Sequence, residues 1–326
     1  MKIIITGGAG MIGSNLAAKL LLDGHDLVII DNLWRGSLEN LQFTTGKNYN
    51  KIKFINADLG FFGEWVDALR EADCVYHLAD IVAGIGYVFS NEAYIFRKNL
   101  LINANVAAAC EMMKVKRYVY VGTACSFPYQ LQSGVNSTPL KEEQQFPAFP
   151  ESAYGWSKLM GELDASYISK YTDIDTVVLV FHNVYGTPCD YSSSRAQALP
   201  AIAFRALLAS KKQESLEVWG DGTQGRAFVH VNDIVNALVT SLHKGHNSGP
   251  IQIGPNICTP ISTVAEIVRE AVDLSIEIKF DPSKPIGDLG RSANYSKATK
   301  ILGWEPSVDL KDGLTSLVEW IRCREF

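Results

Sequence analysis

The sequence predicts an α/β protein: a Rossmann-type, doubly wound parallel sheet joined to a smaller C-terminal α/β domain that binds substrate. Three observations carry this. Short β-branched runs alternate with helical patterns from Lys2 to Phe181, the order that a parallel sheet with helices on both faces requires. A glycine cluster separates the first strand from the first helix. After His182 the alternation loosens into loops between helices, as a second unit would.

Taken in order, Lys2–Thr6 is a β-branched strand, and apolar residues then recur at Ile12, Leu16, Leu20 and Leu21 until Asp23-Gly24-His25 ends a helix. Leu27–Ile30 is the next strand and stops at Asp31. Ile52–Asn56, Cys74–Leu78, Arg117–Val121 and Asp175–Phe181 read as further strands, with helices clearest at Asn99–Met113 and Tyr154–Tyr171. In the second half, Pro188–Arg195, Gly220–Arg226 and Asp281–Arg291 are rich in Gly, Pro, Ser and Asp and read as loops. Helices are expected at Ala198–Ser210, Val231–His243, Ile261–Val272 and Leu310–Cys323. The expected division is residues 1–180 for the cofactor and 181–326 for the substrate, with segments near 220–250 returning to the first unit.

The chain has 326 residues, 47% apolar and 20% charged, with a net charge of -5. That is ordinary globular composition with ample core material, and the acidic balance argues against a general nucleic-acid binder. No run of about eighteen apolar residues occurs, so no membrane helix is expected, and the N-terminal isoleucines read as a strand rather than a targeting segment. The six cysteines lack metal-site spacing, so neither a zinc site nor a disulfide framework is expected. The expectation is a cytoplasmic protein without a metal.

Gly7, Gly10 and Gly13 form GxxGxxG between strand and helix, where glycines allow a tight turn and bring backbone N–H groups to a pyrophosphate at a helix N-terminus. Asp31 ends the following strand, where a carboxylate accepts from adenosine ribose hydroxyls and repels the extra phosphate of NADP. NAD is therefore the expected cofactor. Asp58 follows the third strand and reads either as an adenine contact or as a cap.

Tyr154 and Lys158 lie four apart at the start of a helix, on one face. An adjacent ammonium, together with the positive charge of an oxidised nicotinamide, favours the phenolate of a tyrosine whose ordinary pKa is about 10, readying it to take a hydroxyl proton. Thr123, closing the preceding strand, completes a constellation for hydride chemistry at a secondary alcohol.

With these residues assembled, the chain resembles the extended short-chain dehydrogenase/reductases of the nucleotide-sugar epimerase/dehydratase type. The likeness runs through the TGGAGMIG start, His77-Leu78-Ala79, Asn99, Thr123, Tyr154 with Lys158, His182-Asn183-Val184-Tyr185-Gly186, and Gly225-Arg226-Ala227-Phe228-Val229-His230-Val231. The resemblance implies cofactor contacts from Met11, Ile12, Asn32, Leu59, Leu78, Ala79 and Asn99 beside those above, a sugar nucleotide held by Asn183, and a diphosphate clamped by Arg226 and Arg291. It also implies a homodimer through the Asn99–Met113 and Tyr154–Tyr171 helices.

Within that family three stretches are similar to the GDP-mannose 3,5-epimerases: Gly84-Ile85-Gly86-Tyr87-Val88-Phe89-Ser90-Asn91, Thr123-Ala124-Cys125-Ser126-Phe127-Pro128, and Phe181-His182-Asn183-Val184-Tyr185-Gly186. The likeness implies that Gly84 lies against substrate and that Cys125 is a base. Once C4 is a ketone, the C3 and C5 hydrogens are acidic enough for a thiolate. The alternative is that Cys125 is a small residue packed behind Thr123. One departure stands out: the lysine expected as partner acid is missing from Arg195-Ala196-Gln197-Ala198-Leu199-Pro200, and arginine is a poor proton donor. His182 is the substitute to consider. Three functions follow: an epimerase with a GDP-mannose-like substrate, a C4 epimerase or C4 dehydrogenase with Cys125 a bystander, and a non-catalytic NAD sensor.

Overall fold

A computed structural model describes residues Met1–Phe326. The first half lays down β1 (Lys2–Thr6), α1 (Met11–Leu22), β2 (Asp26–Asp31), α2 (Leu38–Thr45), β3 (Lys53–Asn56), β4 (Cys74–His77), α3 (Ile85–Ser90), α4 (Glu92–Met113), β5 (Arg117–Thr123), α5 (Ala153–Tyr171) and β6 (Asp175–Phe181). Then come β7 (Asn183–Tyr185), α6 (Ala198–Lys212), β8 (Leu216–Trp219), β9 (Gly225–Arg226), β10 (Phe228–His230), α7 (Val231–Thr240) and β11 (Pro250–Ile253). The chain finishes with β12 (Thr259–Pro260), α8 (Ile261–Val272), β13 (Ile278–Asp281), β14 (Gly290–Arg291), α9 (Ser296–Leu302) and α10 (Leu310–Glu325).

Seven strands form one sheet in the order β11-β6-β5-β4-β1-β2-β3, and every pairing in it is parallel. The fold is the Rossmann-type α/β sheet. Side-chain parity explains why it is doubly wound. Ile3 and Ile5, Leu27 and Ile29, and Val177 and Leu179 join a core under α1 and α7. Their neighbours Ile4, Val28 and Ile30, and Val178 and Val180 join a second core under α4 and α5. A strand apolar on both faces needs cover on both faces. The order reverses between β1 and β4, so the crevice outside their carboxyl ends is where a ligand belongs.

The later segments are interleaved with this sheet. β11 pairs with β6, and α7 packs on α1. A third core gathers α6, α8, α10 and β8. Two segments expected as loops contain short strands: β9 closes Gly220–Arg226 and β14 closes Asp281–Arg291. They pair in parallel with Arg226 opposite Arg291, which sets the two arginines side by side. The helix expected from Asn99 begins at Glu92.

Candidate active site

A cavity of about 1020 Å³ lies over the switch point, lined by the glycine loop, Leu78–Asn91, Thr123, Cys125, Tyr154, Asn183, Arg226 and Arg291. Single small-molecule sites run to roughly 300–1,000 Å³, so this cavity stands at the large end of that range.

The glycine loop is built to be approached. Gly7 has φ +70, and a Cβ there would meet the Ala79 nitrogen at 2.7 Å; one on Gly13 would meet the Gly7 carbonyl at 2.5 Å. A Cβ on Gly10 meets protein only at 3.4 Å, so the space beside it is free for a ligand. Gly10 caps α1 without a side-chain bond, leaving first-turn N–H groups for an anion. Asp31 accepts from the N–H of Ala9 at 3.0 Å and of Leu33 at 2.8 Å, tying β2 to this loop; burial pushes its pKa up. Asn32 accepts from the Trp34 N–H at 3.0 Å. Asp58 lines the cavity, pairs with Lys98 at 2.6 Å and accepts from the Gly60 N–H at 2.8 Å in a loop turn, not at a helix start. Met11, Ile12, Leu59, Leu78 and Ala79 also line the cavity. The cradle, the uncapped helix and the carboxylate ending β2 fit NAD.

Asn99 departs from expectation. It is fully buried and spends its amide on the Ile81 peptide, accepting at 2.7 Å and donating at 3.2 Å. It shapes the wall at Ile81 and does not line the cavity.

Ser152 caps α5 by accepting from the Gly155 N–H at 3.2 Å, which turns Tyr154 into the cavity at the start of the helix. Gly155 has no alternative, since a Cβ there would collide with the Cys125 carbonyl. The Tyr154 hydroxyl donates to Asp80 Oδ2 at 3.3 Å, and Lys158 Nζ is 3.2 Å from the same oxygen. Lys158 and Tyr154 thus share one Asp80 oxygen. The lysine's charge is answered by Asp80, and burial first, then Asp80, hold the phenol well above its ordinary pKa. Lys158 itself is buried behind Tyr154, its Nζ 4.8 Å from the Tyr120 ring centre.

Thr123 Oγ1 accepts from the Cys125 N–H at 3.3 Å, holding the short turn Ala124–Ser126 that presents Cys125 to the cavity. The Cys125 sulfur accepts from Arg291 Nη1 at 3.2 Å. Arg291 also donates to Gln132 at 3.1 Å, Asp288 at 2.9 Å and Asn183 at 3.2 Å. Its fork is thus turned toward Cys125 rather than left open for a diphosphate. Arg226 donates only to carbonyls, of Gly225 (2.7 Å), Asp288 (2.6 Å) and Ile286 (3.2 Å), and burial pulls its pKa down to about 10. A buried cation answered only by carbonyl dipoles suits an incoming phosphate. Gly84 N donates to the Arg195 carbonyl at 3.1 Å, and a Cβ there would meet the Ala196 carbonyl at 2.5 Å. That contact ties the α3 loop to the segment before α6.

The missing lysine stays missing, since no lysine lines the cavity. Arg195 is drawn away, its guanidinium 4.9 Å from the Trp34 ring centre and donating to the Trp34 carbonyl. His182 is no substitute acid: burial pulls its pKa down to about 3, so it is neutral and carries no extra proton. Two residues escaped the sequence reading. Asp80 directly follows His77-Leu78-Ala79 at the carboxyl end of β4, the signal by which it was findable. Glu151, three residues before Tyr154, lines the cavity and is pushed up to about 7 by burial and by Asp288.

This fold and cavity fit an enzyme that binds NAD. The NAD dependent epimerase/dehydratase family matches residues 3–254, and the chain belongs to that family. It is 31% identical over 324 residues to GDP-mannose 3,5-epimerase 1 of Oryza sativa subsp. indica, covering 99% of this chain and 82% of that one. The crystal structure of a UDP-glucose 4-epimerase with UDP-glucose from Thermotoga maritima matches with a TM-score of 0.87 at 27% identity, covering 99% of each chain. A Thermus thermophilus UDP-glucose 4-epimerase in complex with NAD matches with a TM-score of 0.82 at 25% identity, again over 99% of each. The chain is an NAD-dependent enzyme of nucleotide-sugar epimerase/dehydratase type.

Proposed function

We propose that this enzyme epimerises a nucleotide-diphosphate sugar, GDP-mannose-like, by transient oxidation at C4, with Cys125 removing the ring proton at C5, at C3 or at both. The observation that carries this is the Cys125 sulfur set in the same cavity as Thr123 and Tyr154, 3.2 Å from a guanidinium nitrogen. Gly7, Gly10, Gly13 and Asp31 would hold NAD, which would supply the hydride acceptor for C4 and the donor for the hydride's return. Tyr154 takes the C4 hydroxyl proton and gives it back, and Thr123 orients that hydroxyl. With C4 a ketone, the Cys125 thiolate takes a proton from the adjacent carbon and becomes a thiol, leaving an enolate. Before that transfer the charge on the sulfur is paired by Arg291. Glu151, which lines the cavity and whose carboxyl burial and Asp288 push up to about 7, supplies the proton that returns to the enolate.

Arg226 and Asn183 hold the nucleotide-sugar portion, and Gly84 keeps the α3 loop close enough to cover it. The rice relative supports a GDP-sugar substrate. A homodimer is supported by apolar side chains left exposed on α4 and α5: Tyr94, Leu101, Met112, Tyr167 and Tyr171. No helix is long and apolar enough to cross a membrane.

A C4 epimerase with Cys125 a bystander is the second reading, favoured by the likeness to the Thermotoga maritima enzyme. Incubation with NAD and a panel of GDP-, UDP- and dTDP-sugars, with products identified by NMR, separates the two. A GDP-sugar inverted at C5 or C3 supports the proposal; inversion at C4 alone on a UDP-sugar overturns it.

A further inference from the structure

We propose that Glu162 is a positioning residue that acts through Gln145 and Ser126 to fix the turn presenting Thr123 and Cys125 to the cavity. This rests on Thr123 and Cys125 being the groups that meet the sugar, as read above.

Glu162 lies one helical turn beyond Lys158 on α5 and is only 6% exposed. Its carboxylate packs against the end of β5, where a Cβ on Gly122 would collide with it. Its Oε2 accepts from Gln145 Nε2 at 2.6 Å. The same nitrogen donates to Ser126 Oγ at 2.9 Å, and Ser126 Oγ donates to the Thr123 carbonyl at 2.7 Å. The Thr123 hydroxyl in turn accepts from the Cys125 N–H at 3.3 Å. Glu162, Gln145 and Ser126 are all buried, and none of the three lines the cavity.

The direction of these bonds makes the carboxylate the end of the chain. An amide nitrogen only donates, so Gln145, anchored on Glu162, gives its other hydrogen to Ser126 and leaves the serine proton for the Thr123 carbonyl. Thr123 and Ser126 bracket Cys125, and the bond between them closes the turn in which Cys125 sits. A buried carboxyl is costly, and one Glu162 oxygen has no partner at all. Burial pushes this carboxyl up to about 7, against the opposing pull of Gln145 and Ser126. What an ionised acceptor adds is a charge-assisted hold on the Gln145 amide. Loosening the turn takes the Cys125 sulfur away from Arg291, now 3.2 Å off, and a sulfur without a neighbouring cation is less often thiolate. A purely structural role for Glu162, joining α5 to the segment Glu142–Gln145, predicts lost stability with the reactivity of Cys125 unmoved.

The test is the rate at which iodoacetamide alkylates Cys125 at neutral pH in the cofactor-free protein, read by mass spectrometry of its peptide. It is run as a double-mutant cycle of Glu162→Gln, which preserves shape and removes charge, and Ser126→Ala. Each single variant should slow the alkylation about two- to tenfold, the size of one net hydrogen bond. The double variant should be no slower than the slower single, because the two residues act in series. Buried Cys74 and Cys110 staying unlabelled reports an intact fold. An unchanged rate in folded Glu162→Gln, or effects that multiply in the double variant, overturns the inference. Should Glu162→Gln fail to fold, Gln145→Met, which cuts the carboxylate off from Ser126, decides by the same criterion. No sugar is present, so failure of the substrate reading leaves this result intact.

Discussion

Replacing Arg291 by lysine separates two roles, clamping a diphosphate and pairing the Cys125 sulfur. The guanidinium serves four acceptors, Cys125, Gln132, Asp288 and Asn183. Lysine keeps the charge but offers one nitrogen, which settles on the nearest carboxylate, Asp288, at 2.9 Å from the present guanidinium. Two side-chain bonds, to Gln132 and Asn183, are lost, at a cost of roughly 3 kcal/mol of stability. The sulfur loses a charge-assisted donor, which contributes about 1.5–3 kcal/mol where charge resides. That converts to about a 10- to 150-fold slower proton abstraction. The assay is the initial rate of solvent deuterium entry into the sugar ring, with KM measured in parallel and folding checked by thermal melting. A raised KM with an unchanged exchange rate would refute the reasoning, because it would make Arg291 a uniform-binding residue only.

Tyr154→Phe should abolish turnover while NAD still binds, read by cofactor fluorescence and product formation; full activity would remove the hydride mechanism. Asp31→Ala should weaken NAD binding and relax discrimination against NADP, and it should loosen the glycine loop by losing the acceptor for the Ala9 N–H. An unchanged preference would mean another group reads the ribose. His77 and His182 are both pulled down to about 3 by burial. Their folded pKa lies below the ordinary 6.5, so the stability they contribute is full above pH 6.5 and lost as pH falls toward 3. Each shift corresponds to several kcal/mol at roughly 1.4 kcal/mol per unit. Urea midpoints should drop steeply over that window, and less steeply in His182→Asn; a flat midpoint would contradict the buried neutral imidazoles.

How far the sequence revealed this molecule depended on the length of each signal. β1, β6 and α8 have the bounds read from the sequence because both sheet faces or one helical stripe are apolar throughout them. β9 and β14 span two residues each, too short for any period, and their pairing is what brings Arg226 and Arg291 together. The glycines, Asp31, Thr123, Cys125 and Tyr154 were legible as a set, and the fold gathers them at one cavity. What the sequence concealed were partners distant in the chain. Arg291 reaches Cys125 across 166 positions. Asp80 reaches Tyr154 across 74 positions and pairs with Lys158 on the same oxygen.

The central claim is tested most directly by incubating wild type and Cys125→Ala with NAD and a GDP-hexose in D2O. The account predicts deuterium at C5 or C3 of the sugar with wild type and none with Cys125→Ala, both proteins binding NAD alike. Deuterium uptake at an undiminished rate in Cys125→Ala would contradict it.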